Sequence, residues 1–205
     1  MADCQLYLIS PLDVAGGFPD RLDRALAAGG ELVTALQFRV KSVDQHEAAR
    51  LAAPLLEICR ARDVAFVVND DIALARRLKA DAVHLGQGDG DVREAREELG
   101  RDVQIGVTCH ASRHLAMEAG EAGADYVAFG AFFPSETKAS EHRPEVDILE
   151  WWSGLFEIPC VAIGGITPAN CRPLVDAGAD FLAVSHSVWS GDESQAVKAF
   201  AKAMG

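Results

Sequence analysis

Lys79-Ala80-Asp81-Ala82-Val83-His84 has two counterparts further along the chain, Ala122-Gly123-Ala124-Asp125-Tyr126-Val127 and Ala177-Gly178-Ala179-Asp180-Phe181-Leu182. In each copy a helical stretch ends, the chain turns on small residues and one aspartate, and a short apolar run begins. The copies open the fourth, sixth and eighth of the apolar runs, so two strand–helix units separate each copy from the next. Working outward from them, strands are predicted at residues 6–9, 33–38, 65–68, 82–84, 104–107, 126–129, 161–163 and 181–184. Amphipathic stretches predict helices at 18–28, 44–61, 71–78, 91–99, 112–119, 147–152, 168–176 and 193–204. Asp71, Ser112 and Thr167 stand where helix N-caps or first turns are wanted. Leu6-Tyr7-Leu8-Ile9 is continuous and apolar, as a strand buried on both faces should be.

Strict alternation of strand and helix implies a parallel sheet. A doubly wound open sheet is one way to build it. Eight units in 205 residues suit a minimal closed (β/α)8 TIM barrel better, since such barrels need roughly 200 to 250 residues. The whole chain, residues 1–205, is expected to form this one barrel. The one long connection expected follows the sixth strand, from residue 130 to 145; a loop of that length is often a lid or a binding loop.

Composition narrows the function. The formal net charge is −12, which argues against a nucleic-acid partner, because a phosphate backbone needs a basic face. Cations that cluster in so acidic a chain have a local purpose. The five cysteines, Cys4, Cys59, Cys109, Cys160 and Cys171, show no C-x-x-C spacing and are odd in number, which reads as reduced thiols in a cytoplasmic protein. The N-terminus MADCQLYLIS lacks a basic segment followed by a long apolar one, and no run reaches the ~18 apolar residues of a membrane span.

In a parallel barrel the chemistry sits at the C-terminal strand ends. After strand two, alternation puts Gln37, Arg39 and Lys41 on one face, an arrangement suited to an anion. Asn69-Asp70-Asp71 follows strand three and His84-Leu85-Gly86-Gln87-Gly88-Asp89 follows strand four. Asp70 and Asp89 would ligate Mg2+, an ion that takes one or two carboxylates plus substrate phosphate oxygens; Asp71 is expected to start a helix instead. Thr108 offers a hydroxyl after strand five. Cys109 and His110 are chain neighbours on opposite strand faces, so Cys109 is read as packing and not as a nucleophile. Ser135, Thr137 and Lys138 on the long loop suit phosphate, and so do Gly164-Gly165 after strand seven and Ser185-His186-Ser187 after strand eight. Two anion sites in one mouth suggest two phosphorylated substrates, one of them a diphosphate.

The ordered set Gln37-Phe38-Arg39-Val40-Lys41, Val68-Asn69-Asp70-Asp71, His84-Leu85-Gly86-Gln87-Gly88-Asp89, Gly106-Val107-Thr108-Cys109-His110, Pro134-Ser135-Glu136-Thr137-Lys138 and Gly164-Gly165-Ile166 resembles the thiamine phosphate synthase family over nearly the whole chain. The resemblance implies a transferase that joins a hydroxymethylpyrimidine diphosphate to a thiazole phosphate and releases diphosphate. It implies that Gln37 and Arg39 hold the pyrimidine and its diphosphate, and that Lys41, Asn69, Thr108 and Lys138 contact the diphosphate. Asp70 and Asp89 would hold Mg2+, and Ser135, Thr137, Gly165, Ser185 and His186 the thiazole phosphate. His186 stands where the family has Ser, and Ser10-Pro11 where it has Thr-Asp. Two other readings share the barrel. A thiazole tautomerase would need a proton-transferring residue such as His110, and a non-catalytic relative would bind thiamine precursors without turnover.

Overall fold

A computed structural model describes residues 4–134 and 143–205. Eight parallel strands pair in chain order: β1 (Gln5–Ile9), β2 (Val33–Phe38), β3 (Ala65–Asn69), β4 (Ala82–Leu85), β5 (Gln104–His110), β6 (Tyr126–Gly130), β7 (Cys160–Ile163) and β8 (Phe181–Val184). Strand β8 pairs back onto β1, so the ring is closed and the open doubly wound sheet is excluded. The helices are α1 (Phe18–Gly29), α2 (Gln45–Ala61), α3 (Ile72–Leu78), α4 (Val92–Leu99), α5 (Arg113–Ala122), α6 (Asp147–Leu155), α7 (Arg172–Asp176), α8 (His186–Trp189) and α9 (Glu193–Met204). The fold is the (β/α)8 barrel expected from the alternation, with the short helix α8 added after β8.

The repeated aspartate explains itself in this frame. The carboxylates of Asp81, Asp125 and Asp180 accept hydrogen bonds from the backbone N–H groups of Phe66 (2.8 Å), Ile105 (2.7 Å) and Cys160 (2.8 Å). Their own N–H groups donate to the carbonyls of the same three residues, at 3.1, 2.8 and 3.0 Å. Each copy therefore clamps the start of an even strand to the start of the odd strand before it, and satisfies a strand-end donor that would otherwise lack a partner.

Side chains sort by strand parity. Leu6, Leu8, Leu36, Phe38, Phe66 and Val68 point outward into the large core beneath the helices. Tyr7, Ile9, Val67, Ala82, Tyr126, Ala128, Val161 and Ala183 fill the barrel interior. Small residues there make room for two tyrosine rings. A Cβ at Gly106 would lie 1.9 Å from Cζ of Tyr126, so the Tyr126 ring occupies the space that a side chain on β5 would take. The two ends of the chain are latched by a buried carboxylate: Glu193 is 4% exposed and pairs with Arg21 (2.8 Å) and Arg24 (2.7 Å). Burial pushes its carboxyl up, but hydrogen bonds from Arg21, its own backbone and Arg24 outweigh this and hold it below the ordinary value.

Capping follows the sequence in two of three cases. Asp71 and Ser112 accept from the N–H groups of Leu74 (2.8 Å) and Leu115 (3.2 Å) and cap α3 and α5. Thr167 caps nothing, because α7 begins at Arg172 and not at residue 168. The intervening turn is held by Asn170, whose Oδ1 accepts from the Thr167 N–H (2.7 Å) and whose Nδ2 donates to the Gly165 carbonyl (3.0 Å).

Candidate active site

Around the C-terminal rim, β1 and β2 are stitched by Ser10, which is only 2% exposed. Its N–H donates to the Gln37 carbonyl (2.9 Å), and its Oγ accepts from the Arg39 N–H (2.9 Å). This fixes the backbone that carries Arg39, half-buried, and Lys41, exposed. Among the described residues no salt bridge engages either cation, although the chain carries an excess of carboxylates. Gln37, one register step inside, is buried and donates from Nε2 to the Tyr7 hydroxyl (3.1 Å).

At the ends of β3 and β4 the chain bends to bring two carboxylates together. Asp70 has φ +65°, a left-handed conformation uncommon away from glycine. Its N–H donates to the His84 carbonyl (2.8 Å), and the Asp71 N–H donates to the Asn69 carbonyl (2.8 Å). The Asp70 carboxylate accepts from Asn69 Nδ2, lies near the Gly86 N–H and faces the Asp89 carboxyl. A Cβ at Gly86 would fall 2.3 Å from Asp89 Oδ2, so the glycine is what lets Asp89 fold inward. Burial first, then the charge and contact of Asp89, push the Asp70 carboxyl above its usual range; the Gly86 and Asn69 donors offset only part of this.

Two carboxylates in contact, Asp70 half-buried and Asp89 exposed, call for a proton or a cation between them. Among the described residues no cluster of three or more Asp, Glu, His or Cys side chains exists that would cage a metal fully. Two hard oxygen donors with an open side fit Mg2+, which keeps waters and takes its other ligands from substrate phosphates.

Thr108 on β5 is half-buried, and its Oγ1 lies 2.8 Å from His84 Nε2. Gln87 Nε2 donates to the Thr108 carbonyl (2.6 Å), tying the β4 exit loop to β5. The β5–β6 register shifts between Thr108 and His110, so simple alternation fails at Cys109. Cys109 is nonetheless fully buried, and burial pushes its thiol up to about 12, which leaves it a packing residue as expected. His110 follows with φ +52°.

The β7 exit closes against the β6 exit. Gly165 has φ +64°, and a Cβ there would meet the Pro134 carbonyl oxygen at 2.3 Å, so no other residue fits without displacing that backbone. The Phe133 N–H donates to the Gly164 carbonyl (3.0 Å), and Asn170 holds Gly165 from the other side. Ser185 and His186 stand at the start of α8, half-buried and exposed respectively. Beside them the Ser187 hydroxyl is buried with no hydrogen-bond partner. Ser135, Thr137 and Lys138 lie outside the described residues.

A family model described as "Thiamine monophosphate synthase" matches residues 6–188. A protein of Erythrobacter litoralis (strain HTCC2594) named thiamine-phosphate synthase is 75% identical over 200 residues, spanning 97% of this chain and 94% of its own. The chain belongs to the thiamine-phosphate synthase family. A second synthase, from Rhodospirillum centenum (strain ATCC 51521 / SW), is 51% identical over 93% of this chain and 91% of its own. A solved thiamine phosphate pyrophosphorylase from Pyrococcus furiosus superposes with a TM-score of 0.86 at 30% identity, covering 98% of this chain and 95% of that one.

Within this synthase fold, several residues of the site escape a reading by strand ends. Tyr7, His84 and Tyr126 line the barrel interior as a connected polar group, and Ser10 and Asn170 hold the rim backbone. One signal was present for the two tyrosines. The chain has two tyrosines, both in apolar strands, and a buried tyrosine hydroxyl needs a partner.

Proposed function

We propose that the chain makes thiamine phosphate from a 4-amino-2-methylpyrimidinylmethyl diphosphate and a thiazole phosphate, releasing diphosphate, with the site residues in the roles set out below. The observation that carries this assignment is the Asp70–Asp89 contact, beneath a rim whose cations Arg39 and Lys41 have no carboxylate partner among the described residues. A thiazole tautomerase has no use for a diphosphate and its cation, and these two features favour the synthase over it. Bound Mg2+ would neutralise charge on the departing diphosphate.

Gln37 orients the pyrimidine, whose amino group pushes electrons toward the methylene carbon as the carbon–oxygen bond to diphosphate breaks. Arg39, Lys41 and Lys138 stabilise the negative charge that develops on the leaving group, while Asn69 and Thr108 donate hydrogen bonds to it. The thiazole nitrogen then attacks the methylene carbocation. Ser135, Thr137, Gly165 and the Ser185–His186 turn hold the thiazole phosphate, in part through backbone N–H groups. No protein nucleophile is needed, and the buried, poorly acidic Cys109 supplies none. The work of the protein is positioning and electrostatic stabilisation. Its five free thiols and its acidity suit a cytoplasmic enzyme of small phosphorylated metabolites, and among the described residues no helix is long and apolar enough to cross a membrane.

The test is a Mg2+ titration of diphosphate release by the wild type, Asp70→Asn and Asp89→Asn. Each variant is expected to need at least tenfold more metal for half-maximal rate. Unchanged titrations in both would remove the two residues as ligands.

A further inference from the structure

A continuous hydrogen-bond chain crosses the barrel interior from one predicted substrate-binding residue to another. Gln37 Nε2 donates to the Tyr7 hydroxyl (3.1 Å), which lies 3.0 Å from the Tyr126 hydroxyl. The Tyr126 hydroxyl lies 3.1 Å from His84 Nδ1, and His84 Nε2 lies 2.8 Å from Thr108 Oγ1. Strands β2, β1, β6, β4 and β5 each contribute one member. Tyr7, Gln37, His84 and Tyr126 are all at most 8% exposed, so water does not interrupt the chain. The His84 ring stacks on Tyr126 at 5.6 Å, and the two tyrosines meet edge to face at 6.1 Å.

Each hydroxyl has one hydrogen to give, and a neutral imidazole has one N–H. Those counts make the chain directional. An amide nitrogen cannot accept, and among the described residues Tyr126 is the one other group that the Tyr7 hydroxyl meets, so giving its hydrogen to Tyr126 is what spares Tyr7 a buried donor without a partner. Tyr126 must then give its own to His84 Nδ1, which leaves the imidazole hydrogen on Nε2, donated to Thr108. Thr108 accepts there, and its own hydroxyl hydrogen is left to point elsewhere. The side chains of Tyr7, Tyr126 and His84 meet only uncharged groups along the chain, which suits the neutral forms this requires.

We propose that Tyr7, Tyr126 and His84 are positioning residues: their one-way hydrogen-bond chain fixes His84 as the Nε2–H tautomer and leaves the Thr108 hydroxyl hydrogen available to donate at the C-terminal end of β5, while Gln37 keeps its Oε1 as an acceptor. Taken with the function proposed above, on which this last step rests, Thr108 is preset to donate to an oxygen of the departing diphosphate, and Gln37 to accept from the pyrimidine amino group. A hydroxyl whose hydrogen was given to His84 would have to be turned at the moment of reaction; one that accepts from His84 keeps its hydrogen to give. Reversed polarity would need the Gln37 amide turned over and would leave Thr108 donating to His84, with no hydrogen left to donate to the substrate.

The experiment is 15N NMR of protein labelled with ring-15N histidine, at neutral pH and without substrate, with His84 assigned through His84→Gln. The expected spectrum shows His84 neutral and protonated at Nε2. Tyr126→Phe, which keeps the ring and removes the hydroxyl, is expected to give a mixture of tautomers and to lower kcat about tenfold with KM for the diphosphate substrate changed less than twofold. Tyr7→Phe, one link further away, provides the same readouts should Tyr126→Phe fail to fold. An Nδ1–H tautomer or an imidazolium in the wild type would overturn the proposal, as would tautomer and kcat both unmoved in the Phe variants. The spectrum is read without catalysis. A wild type with the Nε2–H tautomer but no diphosphate release would refute the proposed reaction and leave the directional chain standing.

Discussion

Replacing Gly106 with Ala tests how the barrel interior is filled. The added Cβ would sit 1.9 Å from Cζ of Tyr126 and within 2.4 Å of two further ring carbons. These are ring atoms of a side chain only 8% exposed, bonded to Tyr7 on one side and His84 on the other, so the ring has nowhere to swing. Overpacking a rigid core costs about 1–3 kcal/mol. Displacing Tyr126 also breaks two buried hydrogen bonds, at roughly 1 kcal/mol each. The expected loss is therefore about 3–5 kcal/mol, a large part of the ~5–15 kcal/mol that holds a typical protein folded. For a chain of this length that corresponds to a fall in Tm of roughly 6–20 °C. Urea unfolding followed by circular dichroism measures it. The same substitution in a Tyr126→Leu background is expected to cost less than about 1 kcal/mol, because the colliding ring is gone. A Gly106→Ala variant within about 0.5 kcal/mol of the wild type would refute the packing argument.

Asp125→Ala removes a carboxylate that accepts from the Ile105 N–H and pairs with Arg96 at 2.6 Å; a loss of about 1–3 kcal/mol is expected in urea unfolding, with substrate KM unchanged. Acid should weaken the fold through His84. Its folded value of about 4 lies below the ~6.5 of an unfolded histidine, so the unfolded chain binds the extra proton first; stability is full above about 6.5 and falls by on the order of 3 kcal/mol as pH drops toward 4. Comparing unfolding of wild type and His84→Gln between pH 4 and 7 checks this, and equal pH slopes would contradict it. Lys41→Ala, at an exposed position, is expected to leave Tm unchanged and to raise KM for the diphosphate substrate several-fold, an effect that shrinks as salt is added.

The barrel was legible because its periodicities are strong. The aspartate-led repeat marks three strand starts, and the structure shows why the aspartate recurs: it clamps each even strand to its predecessor. The Asp70–Asp89 juxtaposition was also legible, since in a parallel barrel the ends of β3 and β4 are neighbours. What escaped were long-range and rotational facts. The meeting of Tyr7 with Tyr126 spans 119 residues and depends on small interior neighbours such as Gly106 and Ala82. Asn170 looked like part of a helix beginning at residue 168, because helix propensity does not reveal that its side chain is engaged by Thr167 and Gly165. The short α8 follows directly from β8 and is too brief to leave a helical period in the sequence.

This barrel mouth couples a pyrimidine diphosphate to a thiazole phosphate. The most direct measurement is diphosphate release by the purified protein with each substrate alone, with both together, and with Mg2+ withheld. Rapid release and thiamine phosphate formation are expected only when both substrates and the metal are present. No release under that full condition, or release at the same rate without the thiazole phosphate, would contradict it.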